Sequence, residues 1–269
     1  LNSLLTRYKS LWTLVADGKP FVTHSSLLQP VIYKDMPCML KVAMADEERR
    51  GNLLMSRWQG NAVARILKFD KQAILMERAA GARSLAEMAV NGRDNEASNI
   101  ICSVVHQLHT AKSPYPAELI ALDIWFKDLE PAAGKYGGVL TGCSRVANTL
   151  LNAGGNTIAL HGDIHHGNIL DFGDKGWLAI DPKGLIGERT FDYANIFCNP
   201  DAATATTPGR LETQVLEISK AARLEAEQLL RWVVAWAGLS AAWGLNDGEN
   251  ADVALHIAEI ASAELSKFG

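Results

Sequence analysis

Between Ile158 and Gly184 the chain reads IALHGDIHHGNILDFGDKGWLAIDPKG, and no other stretch limits the fold as tightly. Ile158-Ala159-Leu160 is a short apolar strand running into His161-Gly162-Asp163, with Asn168 five residues on. Ile169-Leu170-Asp171 and Trp177 to Ile180 are strand-like runs around Gly173-Asp174-Lys175-Gly176, a turn sequence. An antiparallel hairpin closed on those four residues sets Asn168 opposite Asp181 at its open end, beside the loop that holds Asp163.

An amide oxygen paired with a carboxylate suits Mg²⁺, a hard cation that keeps waters and uses few carboxylates plus substrate phosphates. A free aspartate nearby suits a group that orients or deprotonates an attacking hydroxyl. Together they are the layout of a phosphoryl-transfer loop and its metal site. Asp171-Phe172-Gly173 spells the metal motif of protein kinases, but only three residues after Asn168, where its carboxylate points away. The metal role is therefore expected at Asp181, and a surface position at Asp171. A second reading is a metal-dependent hydrolase built on His161, His165 and His166. Against it, His165 and His166 are adjacent and no H-E-x-x-H occurs.

The first eighty residues read mainly as strands. Leu11 to Ala16 and Phe21 to Thr23 flank Asp17-Gly18-Lys19, predicting a hairpin, and Val31 to Tyr33 and Pro37 to Val42 flank a second turn at Lys34-Asp35. Asp46 to Trp58 has helical spacing, and 62–69 and 72–76 return to strand. Beyond Gly81 the apolar spacing is helical over 95–108, 116–130, 143–152, 208–230, 229–243 and 250–267, interrupted by 157–181. The expectation is an α+β fold with two lobes, a strand-rich one over 1–80 and a helical one over 81–269, joined near 77–81.

With 269 residues, 48% of them hydrophobic, the chain can bury a sizeable core. A net charge of −4 without basic runs argues against a nucleic-acid binder. The longest nearly apolar run, Trp232 to Trp243, is too short for a membrane span, which takes about 20 residues. Four scattered cysteines without a C-x-x-C pair, and no basic-then-apolar leader at Leu1, lead to the expectation of a reducing cytoplasm.

On LHGDIHHGNIL (160–170), WLAIDPKGLIGERTFDYANIF (177–197), MLKVA (39–43), ILMERAAG (74–81) and GLSAAW (238–243), the chain resembles the aminoglycoside phosphotransferase branch of the kinase-like superfamily. Within that branch it resembles the aminoglycoside/hydroxyurea antibiotic resistance kinases, the streptomycin 6-phosphotransferases above all. The resemblance implies a bilobal kinase-like fold, ATP and Mg²⁺ as cofactors, and a small cationic acceptor. It implies Asp163 as the catalytic aspartate, Asn168 and Asp181 as Mg²⁺ ligands, and Lys41 on the ATP phosphates. Glu48, or alternatively Glu47, would pair with Lys41. Met76, Glu77 and Ala79 would form the gatekeeper and hinge against adenine, with Ser25 and Ser26 in the phosphate-covering loop. His161 and Asp192 read as braces. The chain departs from protein kinases in lacking G-x-G-x-x-G and an A-P-E activation segment, and in carrying Lys183 two residues after Asp181. Trp232, Trp236 and Trp243 share a helical stripe followed by Asp247, Glu249 and Asp252. Such a stripe is ordinarily core. As an acceptor wall, Trp243, Asp247 and Glu249 would suit a polycation through cation–π contact and charge pairing.

Overall fold

Pro30 lacks an amide hydrogen, and its carbonyl accepts the Asp17 N–H at 2.9 Å within the first sheet. In the computed structural model, which describes residues 2–110 and 114–268, helix α1 (Asn2–Trp12) leads into β1 (Val15–Ala16) and β2 (Phe21–Val22). The expected hairpin between those two runs does not form. Both pair antiparallel with β3 (Ser26–Tyr33), Val15 opposite Ile32 and Phe21 opposite Leu28, so the residues between them bulge out instead of reversing the chain. The Gln29 side chain donates to the Gly18 carbonyl at 3.1 Å and holds that bulge. Leu11 belongs to α1, and Leu1, where no leader is expected, lies outside the described residues.

Lys34 and Asp35 both take positive φ (50° and 64°), as a two-residue hairpin turn demands, and they join β3 to β4 (Met36–Ala43). Helix α2 (Asp46–Trp58), β5 (Ile66–Phe69) and β6 (Ala73–Glu77) complete a six-stranded antiparallel sheet, in which β4 and β6 are central. One apolar cluster under this sheet includes Leu5, Tyr8, Leu27, Val31, Leu40 and Leu75. Leu54, Met55, Trp58, Ile74 and Met76 belong to the larger cluster, which runs on into the helical lobe.

The second lobe begins with α3 (Leu85–Met88) and α4 (Asp94–Leu108). The helix expected over 116–130 is broken, because β7 (Ile120–Ala121) pairs with a later strand before α5 (Leu122–Trp125) and α6 (Leu129–Tyr136). Next come α7 (Val139–Asn152), β8 (Ile158–Leu160), the hairpin β9 (Ile169–Asp171) and β10 (Trp177–Ala179), and β11 (Leu185–Gly187). A ten-residue 3₁₀ segment, Arg189–Cys198, and the short α8 (Ala202–Ala205) follow. The helix expected over 208–230 divides at Arg223, whose left-handed φ of 54° ends α9 (Arg210–Ala222) and starts α10 (Ala226–Asp247) on a new axis. Helix α11 (Asp252–Leu265) packs along α10. Trp232, Val233, Val234 and Leu239 of α10 are fully buried, so this helix is the centre of the lobe. No helix among the described residues is long and apolar enough to cross a membrane.

The two lobes meet where Val63 bridges to Ala179. The Ala64 N–H donates to the Ala179 carbonyl at 3.0 Å and the Ala179 N–H to the Ala62 carbonyl at 2.8 Å. Gly51 of α2 lies so close to the Pro182 carbonyl that a Cβ would collide with it. Gly51→Ala therefore sets helix propensity, worth up to about 1 kcal/mol in favour of alanine, against overpacking on a backbone carbonyl, worth about 1–3 kcal/mol the other way. The collision is with main chain that cannot swing aside, so the variant is expected to be less stable, with a thermal midpoint several degrees lower by calorimetry. An unchanged or higher midpoint would show that α2 is free to move.

Candidate active site

Glu48 lies on the inner face of α2, and no part of it reaches solvent. Its Oε1 accepts from the Ser25 hydroxyl at 2.9 Å and from Lys183 Nζ at 3.0 Å. Its Oε2 accepts from the Ser26 hydroxyl at 3.0 Å and forms an ion pair with Lys41. Lys41 also contacts Asp181 Oδ1. Of the two acidic candidates on α2, Glu48 is the one that meets Lys41, while Glu47 stands 3.6 Å from Lys183. Burial is the largest influence on Glu48 and disfavours its charge. Lys41 and Lys183 together outweigh it and hold the carboxyl well below its ordinary 4.5. Burial likewise works against the Lys183 charge, and the surrounding Glu48, Asp163, Asp181 and Glu47 reverse it, raising its pKa. Lys183 is thus a nearly buried, fully paired cation.

Ser25 and Ser26 were expected to face phosphates. Here both hydroxyls turn inward to Glu48, because that buried carboxylate has more lone pairs than two lysines fill. The loop is closed by the Thr23 N–H on the Ser26 carbonyl at 2.9 Å and the Ser26 N–H on Thr23 Oγ1 at 3.1 Å.

The loop after β8 is held by one carboxylate. Asp192 accepts the His161 N–H at 3.0 Å and the Gly162 N–H at 2.7 Å, and lies 2.8 Å from His109 Nε2. His161 Nε2 sits 2.8 Å from the Ile180 carbonyl, and its Nδ1 accepts the Asp163 N–H at 3.2 Å. Burial lowers its pKa, so the neutral ring uses both nitrogens. His165 Nδ1 accepts the Gly167 N–H at 3.1 Å, and His166 faces Asp94 from 3.8 Å. The three histidines diverge, and no group of three His, Cys, Asp or Glu among the described residues can hold a metal. The hydrolase reading falls with them.

Asp163 Oδ1 accepts from Asn195 Nδ2 at 2.9 Å. Its Oδ2 accepts from Asn168 Nδ2 at 3.2 Å and lies 3.9 Å from Lys183. The hairpin that carries Asn168 is one residue out of the expected register. Its loop spans 172–176, closed by the Phe172 N–H on the Gly176 carbonyl at 2.8 Å, so Asn168 faces Ile180 and not Asp181. Asp181 follows one residue on with φ of 65°, and Lys41 reaches its carboxylate. The Asn168 Oδ1 has no donor among the described residues, and Lys41 occupies one Asp181 oxygen. These hard oxygen donors fit Mg²⁺.

Asp171 is not a surface residue. Only 5% exposed, it takes a bidentate pair from Arg83 (2.8 and 2.9 Å) and the Gly173 N–H at 3.0 Å, and Arg83 depresses its pKa. Its carbonyl receives the Gly81 N–H at 2.9 Å, and a side chain at Gly81 would run into its carboxylate. The D-F-G triplet therefore braces the segment after β6. In that segment Met76 is buried. The Glu77 N–H is taken by the Arg65 carbonyl at 3.0 Å, and its carboxylate by the Arg65 N–H and Lys175. The Ala79 N–H has no partner among the described residues.

Asp163 opens on a cleft of about 630 Å³ whose walls include Trp125, Trp236, Trp243, Asp128 and Asp247. Trp243 meets Trp125 and Trp236 edge-on, with centroids 5.4 and 5.7 Å apart, and its indole N–H points to Asp128 at 3.3 Å. Glu249 does not line the cleft, since Gly248 (φ 70°) turns the chain away after α10. Trp232 faces elsewhere and donates to Glu188. Sequence reasoning overlooked Asp128 and Asn195. Asp128 carries no motif, and Asn195 is visible only as the last residue of FDYAN.

A family model described as aminoglycoside/hydroxyurea antibiotic resistance kinase matches residues 11–248. The chain belongs to that family. It is a small-molecule phosphotransferase with a bilobal, kinase-like α+β fold. It is 48% identical to a streptomycin 3''-kinase of Klebsiella pneumoniae over 88% of this chain and 91% of that one. It is 27% identical to a streptomycin 6-kinase of Streptomyces griseus over 92% and 84%. Its fold matches aminoglycoside phosphotransferase APH(4)-Ia, solved with ADP and hygromycin B, at a TM-score of 0.64 and 13% identity over 98% of both chains.

Removing the charge of Glu48 leaves two buried ammonium groups under-paired, which costs about 3–5 kcal/mol. Glu48→Gln is expected to unfold at markedly lower temperature at pH 7. Because the folded pKa is depressed, this stabilisation is full above 4.5 and is lost as pH falls below it. The gap in thermal midpoint between variant and parent should therefore narrow in acid. A gap independent of pH would remove the charge argument.

Proposed function

We propose that the enzyme transfers the γ-phosphoryl group of ATP to the 3''-hydroxyl of streptomycin or a close relative. The observation that carries this is the position of Asp163, with the Lys41–Glu48–Lys183–Asp181 charge cluster on one side and a tryptophan-walled cleft that presents Asp128 and Asp247 on the other. The 3''-position is favoured over the 6-position by the 48% identity to a 3''-kinase against 27% to a 6-kinase.

In this reading residues 1–80 clamp the nucleotide, 81–269 carry catalysis and the acceptor, and 77–81 are the hinge. The adenine edge meets backbone at Glu77 and Ala79 behind Met76, and Lys41 binds the α- and β-phosphates. Asn168 and Asp181 would hold Mg²⁺, which when bound neutralises charge on the β- and γ-phosphate oxygens. Asp163 accepts the proton of the acceptor hydroxyl as its oxygen bonds to the γ-phosphorus and the bond to the β–γ bridging oxygen breaks, releasing ADP. His161 and Asp192 hold the loop at the required depth. The carboxylates of Asp128 and Asp247 pair with the cationic groups of the acceptor, and the rings of Trp243 and Trp236 flank them. Glu249 keeps at most a long-range electrostatic part.

Mg²⁺-dependent release of ADP should require streptomycin, and the product should carry phosphate at the 3''-oxygen by phosphorus–proton NMR correlation. Phosphate on another ring oxygen would overturn the assignment of position, and no acceptor-dependent turnover would overturn the substrate class. Asp163→Ala is expected to keep nucleotide binding by thermal shift and to lose about 10²–10⁴-fold in transfer. Undiminished single-turnover transfer would take Asp163 out of the base role.

A further inference from the structure

We propose that Asn195 is a positioning residue for Asp163, and that its amide is locked in the working orientation by Trp236, a wall of the acceptor cleft. The inference rests on the reading of Asp163 as the base. Asn195 Nδ2 donates to Asp163 Oδ1 at 2.9 Å. Its Oδ1 accepts the Trp236 indole N–H at 2.9 Å and an amide hydrogen of Asn199 at 3.1 Å.

The polarity of these hydrogen bonds fixes the orientation of the amide. An indole N–H can only donate, so the group facing it must be the oxygen of Asn195, and the nitrogen must face Asp163. A flipped amide would set N–H against N–H on one side and oxygen against carboxylate on the other. Trp236 therefore decides which end of the amide Asp163 sees. Asn168 holds Oδ2 from the opposite side, so the plane of the carboxylate is fixed by one amide on each oxygen.

The local backbone explains how Asn195 gets there. It lies in the 3₁₀ segment Arg189–Cys198, where residues three apart eclipse one another. Asp192, three residues earlier, binds the His161 and Gly162 N–H groups. One face of one segment thus supports both the backbone of the catalytic loop and its carboxylate. Trp236 is 6% exposed and packs edge-on against Phe191 of the same segment at 5.6 Å. An acceptor resting on the Trp236 ring leans on the side chain that aims the base.

The test is steady-state kinetics with ATP and streptomycin on Asn195→Ala, Trp236→Phe, the double variant and Asp163→Asn. A misplaced base costs up to about 100-fold. Asn195→Ala should lower kcat about 10- to 100-fold, with the KM for ATP and for streptomycin within about twofold of the parent. Trp236→Phe keeps a ring against Phe191 while removing the indole donor and part of its bulk; with its fold checked by thermal midpoint, it should lower kcat by a smaller factor. The double variant should be no slower than Asn195→Ala alone, because the indole acts through the amide. Asn195→Ala with an unchanged kcat, a loss expressed only in KM, or multiplicative losses in the double variant would each overturn the proposal. Asp163→Asn separates the two readings. If it retains transfer, the base assignment fails; if it is inactive while Asn195→Ala matches the parent, only the positioning role fails.

Discussion

A carboxylate with no solvent contact has to be neutralised where it stands, and Glu48 is surrounded by groups drawn from every side of the cleft. Lys41 comes from β4, Ser25 from just before β3 and Ser26 from its first residue, and Lys183 from the segment after the hairpin. Left unpaired, a buried ion of this kind costs several kcal/mol. The four donors are therefore mutually dependent, and α2 cannot shift without uncovering a charge. The close seat of Gly51 against Pro182 belongs to the same logic, since only a glycine lets the helix come near enough for Glu48 to reach both lysines.

A second set of polar contacts fixes the segment between the lobes. Asp171, Arg83 and the Gly81 N–H tie it to the β9–β10 hairpin, Lys175 ties the tip of that hairpin to Glu77, and Arg83 also lies 5.0 Å over the Trp177 ring. The hairpin that presents Asn168 and Asp181 is thereby fastened to the sheet lobe through Glu77 and the Val63–Ala179 bridge, as well as to the loop of Asp163. Asn168 and Asp181, the segment after β6 and the loop of Asp163 form one braced unit.

Much of this was legible in the chain, and the failures have physical reasons. The helix from Asp46 to Trp58 and the turn at Lys34-Asp35 announce themselves, because amphipathic spacing and a two-residue polar turn are local signals. The false hairpin at Asp17–Lys19 arose because turn-forming residues also serve bulges, and which occurs is decided by β3, a distant partner. The one-residue error at Asn168 came from a loop that takes in Phe172, an apolar residue that reads as strand. Asp171 was misplaced because Arg83, 88 residues away, supplies its charge partner. The pairing of Lys41 with Glu48 needed only a choice between neighbours. The Asp163–Asn195–Trp236 chain joins residues from three elements, and no local pattern marks it.

The 3₁₀ segment has one more consequence. Its residues advance by about 120° each, so positions three apart return to the same side. Asp192 and Asn195 depend on that return. Adding or deleting a single residue between them would rotate one of the two roughly a third of a turn off the loop, whatever residue was chosen. Phe191, Tyr193 and Phe197 of the segment are buried against the helical core and must keep their fit, and its length can change only in threes. Chain count as well as composition is what this part of the enzyme must preserve.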